Sequence, residues 1–351
     1  MTPPSLRRVA SADPASPAAH HVASGGFCNP WPSFRFSAGF RKFAKLMLGA
    51  DWKRATPPPP AELVKVVAPD WARISADKPA TMLLTWMGHA AMLLSLPSGQ
   101  RILFDPCWSD RCSPVQFAGP RRYTPPPCPL ADLPPIDAVV ISHNHYDHLD
   151  LNTIKDLAAR NPDAIFFAPL GNAAWFRSVA VPNAVECDWW DEYEVGGSDL
   201  HIACTPCQHF TGRSLTDRFQ TLWSSWVVTC GASKFYFAGD TGYRTVLEDE
   251  DEDAVPTCPV FKQIGERYGP FDLAAIPIGA VHCNPRDAVD LHVDVRSRRS
   301  VGMHWGTFVL TDEPVMEPPA LLKAELARRG LDPGAFVTVN IGETVTPPPP
   351  S

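Results

Sequence analysis

The 351-residue sequence contains no run of 18 consecutive apolar residues, so no membrane-spanning helix is predicted. It also lacks an excess of positive charge: the net charge of -7 argues against a general nucleic-acid-binding protein. Its ten cysteines form no compact framework of pairs, which favours a reducing, intracellular setting. Cys204-x-x-Cys207 is not accompanied by the second pair that a structural zinc site would need.

The chain predicts one folded domain between two irregular ends. Residues 1–27 carry few large apolar side chains and are rich in alanine, serine and proline, which predicts disorder. Residues 28–346 are long enough to bury a sizeable core as a single domain. Residues 347–351 are almost entirely proline and predict a short tail.

One segment of the domain, residues 33–54, is both basic and aromatic. It carries six basic residues and places four apolar side chains at helical spacing: Phe36, Phe40, Phe43 and Met47. Such a helix fits a membrane interface, with its basic residues facing anionic headgroups. It equally fits a surface helix that packs its apolar stripe on the core or on a second subunit.

A metal-binding motif follows a predicted buried strand. Residues 136–141 are apolar and rich in branched side chains, which favours a strand. The pattern His-x-His-x-Asp-His comes directly after it, as His143, His145, Asp147 and His148. Imidazole and carboxylate are ligands that zinc prefers. A polar surface turn explains one such side chain but not four together, so the motif predicts a metal site.

Three further ligand-type residues each end a short apolar segment. They are His209, Asp240 and His304. Taken singly, each is better interpreted as a core histidine bonded to the backbone or as a capping aspartate. Together with the first motif they supply seven ligand groups, enough for two metal ions that share one carboxylate.

The order of these ligands resembles the metallo-β-lactamase superfamily of binuclear hydrolases. Flanking segments resemble, more closely, the N-acylphosphatidylethanolamine-hydrolysing phospholipases D. The resemblance runs from about residue 28 to the end of the chain. The matching segments are 29–32, 86–90, 105–106, 133–150, 188–190, 205–209, 237–243, 269–280 and 304–307.

The resemblance implies an αββα sandwich, an α/β (α+β) fold in which two mixed β-sheets are flanked by helices. It also implies two zinc ions. The first is held by three histidines: His143, His145 and His209. The second is held by Asp147, His148 and His304, and Asp240 bridges both.

The implied activity is zinc-dependent hydrolysis of N-acylphosphatidylethanolamine to phosphatidic acid and an N-acylethanolamine. Asp147 or Asp240 would accept a proton during attack. Tyr146 and His282 match positions at which the family contacts its lipid. The resemblance also implies a phospholipid partner, a homodimer, and a peripheral location on a cytoplasmic or mitochondrial membrane surface.

Residues behind the ligands are expected to orient them, because a ligating imidazole needs a partner for its other nitrogen. His89 and Asp105 lie in matching motifs and are candidates for this role. Local patterns also predict helices within 151–160, 260–268, 285–298 and 318–329, with Asp150 as an N-cap and Gly330 as a stop.

Two segments depart from the family pattern. Residues 244–257 look inserted and include the acidic run 248–253, which is interpreted as a solvated loop. After Ala280 the family carries an aromatic, arginine-containing loop, whereas here His282 follows almost at once. This shortening predicts altered substrate binding.

Two other functions fit the same residues. The first is a different hydrolase on the same scaffold, acting on a lactone, a thioester, a nucleic acid or another phosphoester. The second is a non-catalytic metal-binding protein. The complete set of ligands argues against the latter, because a chain that had lost catalysis would be expected to lose ligands too.

Overall fold

The computed structural model describes residues 6–10, 19–35, 55–247, 249–279 and 282–349. Their strands form two mixed β-sheets. In spatial order, the eight-stranded sheet contains β1 (Leu6–Ala10), β8 (Glu192–Val195), β9 (Leu200–Thr205), β10 (Ser225–Cys230), β11 (Ser233–Phe237), β12 (Leu273–Pro277), β13 (Ser300–Met303) and β14 (Phe336–Val337). The seven-stranded sheet contains β15 (Thr344–Val345), β2 (Leu83–Gly88), β3 (Ala91–Ser95), β4 (Arg101–Phe104), β5 (Ala138–Val140), β6 (Ile165–Pro169) and β7 (Ala184–Cys187).

Both sheets change from antiparallel to parallel pairing along their width. Strands β8 to β11 pair antiparallel, and β11 to β14 pair parallel. In the other sheet β2 to β4 pair antiparallel and β4 to β7 pair parallel. Parallel strands end at a common edge, so loops after them can bring distant side chains together.

Helices connect the strands. They are α1 (Trp71–Ile74), α2 (Leu151–Arg160), α3 (Ala173–Ser178), α4 (Val260–Arg267), α5 (Pro285–Asp294) and α6 (Glu317–Arg329). The predicted helices are confirmed, and α5 occupies the first part of the predicted range 285–298. The Asp150 carboxylate accepts a hydrogen bond from the backbone N–H of Asn152, and Gly330 ends α6 at a φ of 67°. The start of α2 and the end of α6 could be predicted because a capping residue acts on its own helix and needs no distant partner.

The main core lies between the two sheets, which confirms the predicted sandwich. Phe104 of the seven-stranded sheet packs against Phe237 of the other sheet, with ring centroids 4.8 Å apart. Trp226 on β10 is fully buried and faces Phe167 on β6. A second apolar cluster lies on the outer face of the seven-stranded sheet, where Ile154 of α2 is completely buried.

The N-terminal segment differs from its prediction. Residues 6–10 form β1, which pairs antiparallel with β8, and Arg7 and Arg8 pair with Glu194 and Asp191. Disorder is therefore wrong for this stretch, because an edge strand can be stabilised by backbone pairing without large apolar side chains. Within residues 33–54, positions 36–54 lie outside the described residues.

The acidic run is also more ordered than a solvated loop. Arg35 holds Glu250 through two hydrogen bonds of 2.6 Å, and Arg286 of α5 pairs with Glu252 at 2.8 Å and with Asp253. These ion pairs tie the inserted segment to the protein surface. In the part of the chain that the structure describes, no helix combines the length and apolarity needed to cross a bilayer.

Candidate metal centre

The seven predicted ligands meet at the edge where strands of both sheets end. The loop after β5 carries His143 to His148, and the segments after β9, β11 and β13 carry His209, Asp240 and His304. Gly239 allows this approach: it adopts a φ of 59°, and a Cβ there would lie 2.7 Å from the Cβ of Ser142. A larger residue would therefore push Asp240 away from the histidine loop.

The first ligand group contains three histidines. The Nε2 atom of His143 lies 2.7 Å from the Nδ1 atom of His145, which in turn lies 3.3 Å from the Nε2 atom of His209. The Oδ2 atom of Asp240 lies 3.7 Å from His143 and 3.8 Å from His209. Four ligand atoms thus converge within 4.8 Å of one another.

The second group lies on the other side of Asp240. The Nε2 atoms of His148 and His304 are 3.3 Å apart. The Oδ2 atom of Asp147 lies 3.4 Å from the Nε2 atom of His148 and 3.5 Å from that of His304. The Oδ2 atom of Asp240 is 3.0 Å from His148 and 3.2 Å from His304. One carboxylate therefore reaches both groups.

These groups fit metal ions better than they fit one another. Ring nitrogens that face each other at 2.7 Å to 3.3 Å can share at most one proton per pair, whereas each can donate a lone pair to a cation. The Oδ1 atom of Asp240 is buried, and among the described residues it has no hydrogen-bond partner. A buried carboxylate oxygen without a donor is costly unless a cation satisfies it.

The surroundings of the ligands shift the pKa values of their histidines in opposite directions. Burial and neighbouring histidines hold the pKa of His143 well below its usual range, so its ring is neutral and ready to bind a metal. Burial opposes charge on His304 as well, but Asp240 and Asp147 raise its pKa to about 9. Burial favours protonation of Asp240, yet the surrounding histidines keep its pKa well below the ordinary value.

Two predicted supporting residues contact the ligands. The Nδ1 atom of His148 lies 2.7 Å from the buried carboxylate of Asp105, and the Nε2 atom of His89 lies 2.8 Å from Asp147. His89 and Asp105 both have positive φ values, of 52° and 40°. Residues other than glycine rarely adopt this conformation, which costs about 1–3 kcal/mol each and is concentrated at functional sites.

Other supporting residues were not predicted. The hydroxyl of Ser142 donates to Asp105 at 2.5 Å and lies 2.9 Å from the Nδ1 atom of His143. Thr307 accepts a hydrogen bond from the backbone N–H of His89, and the Asn29 amide donates to the backbone oxygen of His209 at 2.7 Å. Their positions inside the matching motifs were a usable signal, although hydroxyl and amide side chains form no ligand pattern of their own.

A cavity of about 290 Å³ opens onto the ligands. His282 reaches it, and its Nε2 atom lies 2.9 Å from the Oδ2 atom of Asp240. Tyr146 lines the same cavity, but its hydroxyl donates to the backbone oxygen of Arg213 at 2.9 Å. The Arg213 guanidinium covers the tyrosine ring at 3.9 Å. Both predicted lipid-contact residues therefore border the cavity, while the shortened segment at 280–281 lies outside the described residues.

Comparison with known proteins identifies the family to which the chain belongs. A model described as a β-lactamase superfamily domain matches residues 100–305. The chain belongs to the metallo-β-lactamase superfamily and is a metal-dependent hydrolase of that fold.

Its relatives include two lipid-hydrolysing enzymes. The chain is 43% identical over 280 residues to N-acyl-phosphatidylethanolamine-hydrolyzing phospholipase D 1 of Caenorhabditis elegans, covering 75% of both proteins. It is 33% identical to the mitochondrial N-acyl-phosphatidylethanolamine-hydrolyzing phospholipase D of Saccharomyces cerevisiae, covering 68% of this chain and 50% of the yeast protein. An isothiocyanate hydrolase from Delia radicum gut bacteria shares the fold, with a TM-score of 0.57, 20% identity, and coverage of 76% of this chain and 99% of that one.

Proposed function

We propose that this protein is a zinc-dependent phosphodiesterase of the phospholipase D type that hydrolyses N-acylphosphatidylethanolamine to an N-acylethanolamine and phosphatidic acid. The observation that carries this proposal is the pair of ligand groups joined by Asp240 at the floor of the cavity. Two zinc ions held there would polarise a phosphoryl oxygen and acidify a water molecule. The 43% identity to the nematode phospholipase supports the choice of lipid.

The cavity walls suit an anionic ester with apolar chains. Phe210 and Leu310 supply apolar surface, and two arginines, Arg213 and Arg218, belong to the same lining. Guanidinium groups bind phosphate oxygens well because their planar donors match the anion. The mixture therefore favours a substrate that carries both a phosphate group and hydrocarbon.

The two aspartates would act differently during attack. The Asp240 side chain is 2% exposed and surrounded by histidines, so it serves to hold ligands together. Asp147 is 13% exposed and borders the cavity, and its Oδ2 atom is held by His89. We assign proton uptake to Asp147, since its carboxylate is oriented by His89 yet remains reachable from the cavity.

A lipid assay tests the proposed activity. Purified protein loaded with zinc is expected to release phosphatidic acid from N-acylphosphatidylethanolamine in mixed micelles, and His145→Ala is expected to abolish this release. His145 is chosen because its Nδ1 atom lies between His143 and His209. The products are measured by mass spectrometry.

The control is His201→Ala, which removes a half-buried imidazole of β9 outside the cavity. If the unaltered protein leaves this lipid intact but cleaves a soluble ester, it is another hydrolase of the superfamily. If it retains almost no metal after purification and cleaves neither, it is a non-catalytic protein.

The mouth of the cavity carries two exposed apolar side chains that suit a membrane surface. Phe117 is 85% exposed and lies in the loop between Cys112 and Pro120, which both line the cavity. Leu215 is 77% exposed and follows Ser214, another lining residue. Exposed apolar side chains around this cavity would enter the bilayer interface and bring the substrate close to the metal site.

Phe117→Ser combined with Leu215→Ser is therefore expected to weaken binding to phosphatidylcholine vesicles by about 100-fold. This figure assumes about 1.5 kcal/mol of lost apolar burial at each site and a factor of ten for every 1.4 kcal/mol. Vesicle co-sedimentation measures the effect. Leu321→Ser provides a control, because Leu321 is 45% exposed but lies on α6 outside the cavity. Equal binding of the double variant and the unaltered protein would contradict this membrane-facing role.

A further inference from the structure

A second cluster of metal-ligand side chains lies outside the catalytic cavity, at the junction of the N-terminal segment and the sandwich. The Nε2 atom of His20 lies 2.7 Å from the Oδ1 atom of Asp188, and the Nε2 atom of His21 lies 2.8 Å from its Oδ2 atom. All three ligand atoms lie within 4.8 Å of one another. We propose that these residues form an additional binding site for a single divalent transition-metal ion such as Zn²⁺.

The geometry needs only a small adjustment to admit an ion. Ligand atoms placed tetrahedrally around zinc lie about 3.3 Å apart, given bonds of about 2.0–2.1 Å. The observed separations of 2.7 Å and 2.8 Å are shorter by about half an ångström. The His21 side chain is 42% exposed, so its ring can move outward and leave the fourth position to water.

The other two ligands are held in place. The His20 side chain is 6% exposed, and its ring stacks on Trp189 with centroids 4.1 Å apart. The backbone N–H of Trp189 donates to the Oδ1 atom of Asp188 at 2.8 Å. Such bonds behind a ligand fix its orientation and are typical of metal sites.

The charge around the cluster also favours a cation. Burial tends to raise the pKa of Asp188, but hydrogen bonds from His20, Trp189 and His21 keep it below the ordinary value, so the carboxylate is ionised at neutral pH. The nearby Arg8 pairs with Asp191. Asp188 therefore offers its negative charge to the two imidazoles or to an ion between them.

The site would stabilise a turn that supports the catalytic ligand His209. The backbone N–H of Cys28 donates to the His20 oxygen at 2.8 Å, which closes a loop over residues 20–28. The next residue, Asn29, donates its side-chain amide to the backbone oxygen of His209. An ion bound by the two histidines and Asp188 would anchor this loop to the sandwich and so hold Asn29 against His209.

Counting bound metal tests the proposal without measuring activity. Protein dialysed against chelator-treated buffer and titrated with Zn²⁺ by calorimetry is expected to bind one equivalent more than His21→Gln. The difference is independent of how many ions occupy the catalytic cavity. His201→Gln is the matched control and should bind as many ions as the unaltered protein, because His201 faces a single carboxylate, Glu192, at 3.2 Å.

Hydrogen exchange supplies a second readout. Zn²⁺ is expected to slow amide exchange in residues 19–28 of the unaltered protein but not of His21→Gln. Zn²⁺ should also slow this exchange in His21→Ala when free imidazole is added to replace the missing side chain. Equal zinc stoichiometry in the unaltered protein and His21→Gln would overturn the proposal and leave these residues as hydrogen-bonded ion pairs. Exchange that responds to zinc equally in the two proteins would overturn it as well.

Discussion

Asp240→Asn is expected to lower hydrolysis of N-acylphosphatidylethanolamine by about 10³-fold or more. Asparagine has nearly the same shape as aspartate but carries no charge, and the Oδ2 atom of Asp240 lies within 3.0 Å of His148 and His282. A metal centre supplies several kcal/mol of charge stabilisation, and each 1.36 kcal/mol of barrier corresponds to a factor of ten in rate. Loss of the shared carboxylate weakens both ligand groups at once.

Two measurements separate this effect from misfolding. Elemental analysis should find less zinc in Asp240→Asn, and circular dichroism should find the same secondary structure as in the unaltered protein. Asp312→Asn is the control, because Asp312 is exposed and lies outside the cavity. An Asp240→Asn protein that keeps full activity would exclude a bridging role for this residue.

Trp226→Ala is expected to lower the free energy of unfolding by about 3–5 kcal/mol, the usual cost of deleting a large buried aromatic side chain. Trp226 is completely buried between the sheets. Its Nε1–H donates to the backbone oxygen of Ile141 at 3.0 Å, immediately before the histidine loop. The substitution therefore opens a cavity and leaves a buried carbonyl without its donor.

Urea denaturation followed by far-ultraviolet circular dichroism measures this change. Trp226→Phe should recover only part of the stability, since the smaller phenyl ring refills part of the apolar volume while the Ile141 carbonyl stays without its donor, at a cost of about 1–3 kcal/mol. Val293→Ala, at a residue that is 53% exposed, should change stability by about 0.5 kcal/mol at most. A loss below about 1 kcal/mol for Trp226→Ala would argue against a tightly packed interior between the sheets.

The sequence was most informative where structure depends on neighbouring residues. Helix α2 begins after Asp150 and ends near Arg160 as predicted, because a capping side chain and an apolar period act within a few residues. The four ligands of the histidine loop were recognisable for the same reason. His209, Asp240 and His304 each end a short apolar segment, but their assignment as ligands depended on the family resemblance, because no local pattern separates a ligand from a buried histidine or a capping aspartate.

Contacts between distant segments were harder to predict. Strand β1 pairs with β8, and Arg8 meets Asp191 at a separation of 183 residues. No local pattern in this alanine- and serine-rich segment predicts a strand or its partner. Similarly, Asp188 matched a family motif, but nothing in the sequence placed it beside His20 and His21. The acidic run 248–253 by itself predicts a solvated loop, because the arginines that pair with it, Arg35 and Arg286, lie elsewhere in the chain.

The exchange of terminal strands between the sheets bears on how the enzyme assembles. The first strand, β1, borders the sheet built from the later half of the chain, and the last strand, β15, borders the sheet built from the earlier half. Each half of the chain thus contributes the edge strand of the sheet that the other half builds. The seven candidate metal ligands also come from both halves, so the full set is assembled only when the two sheets have packed together.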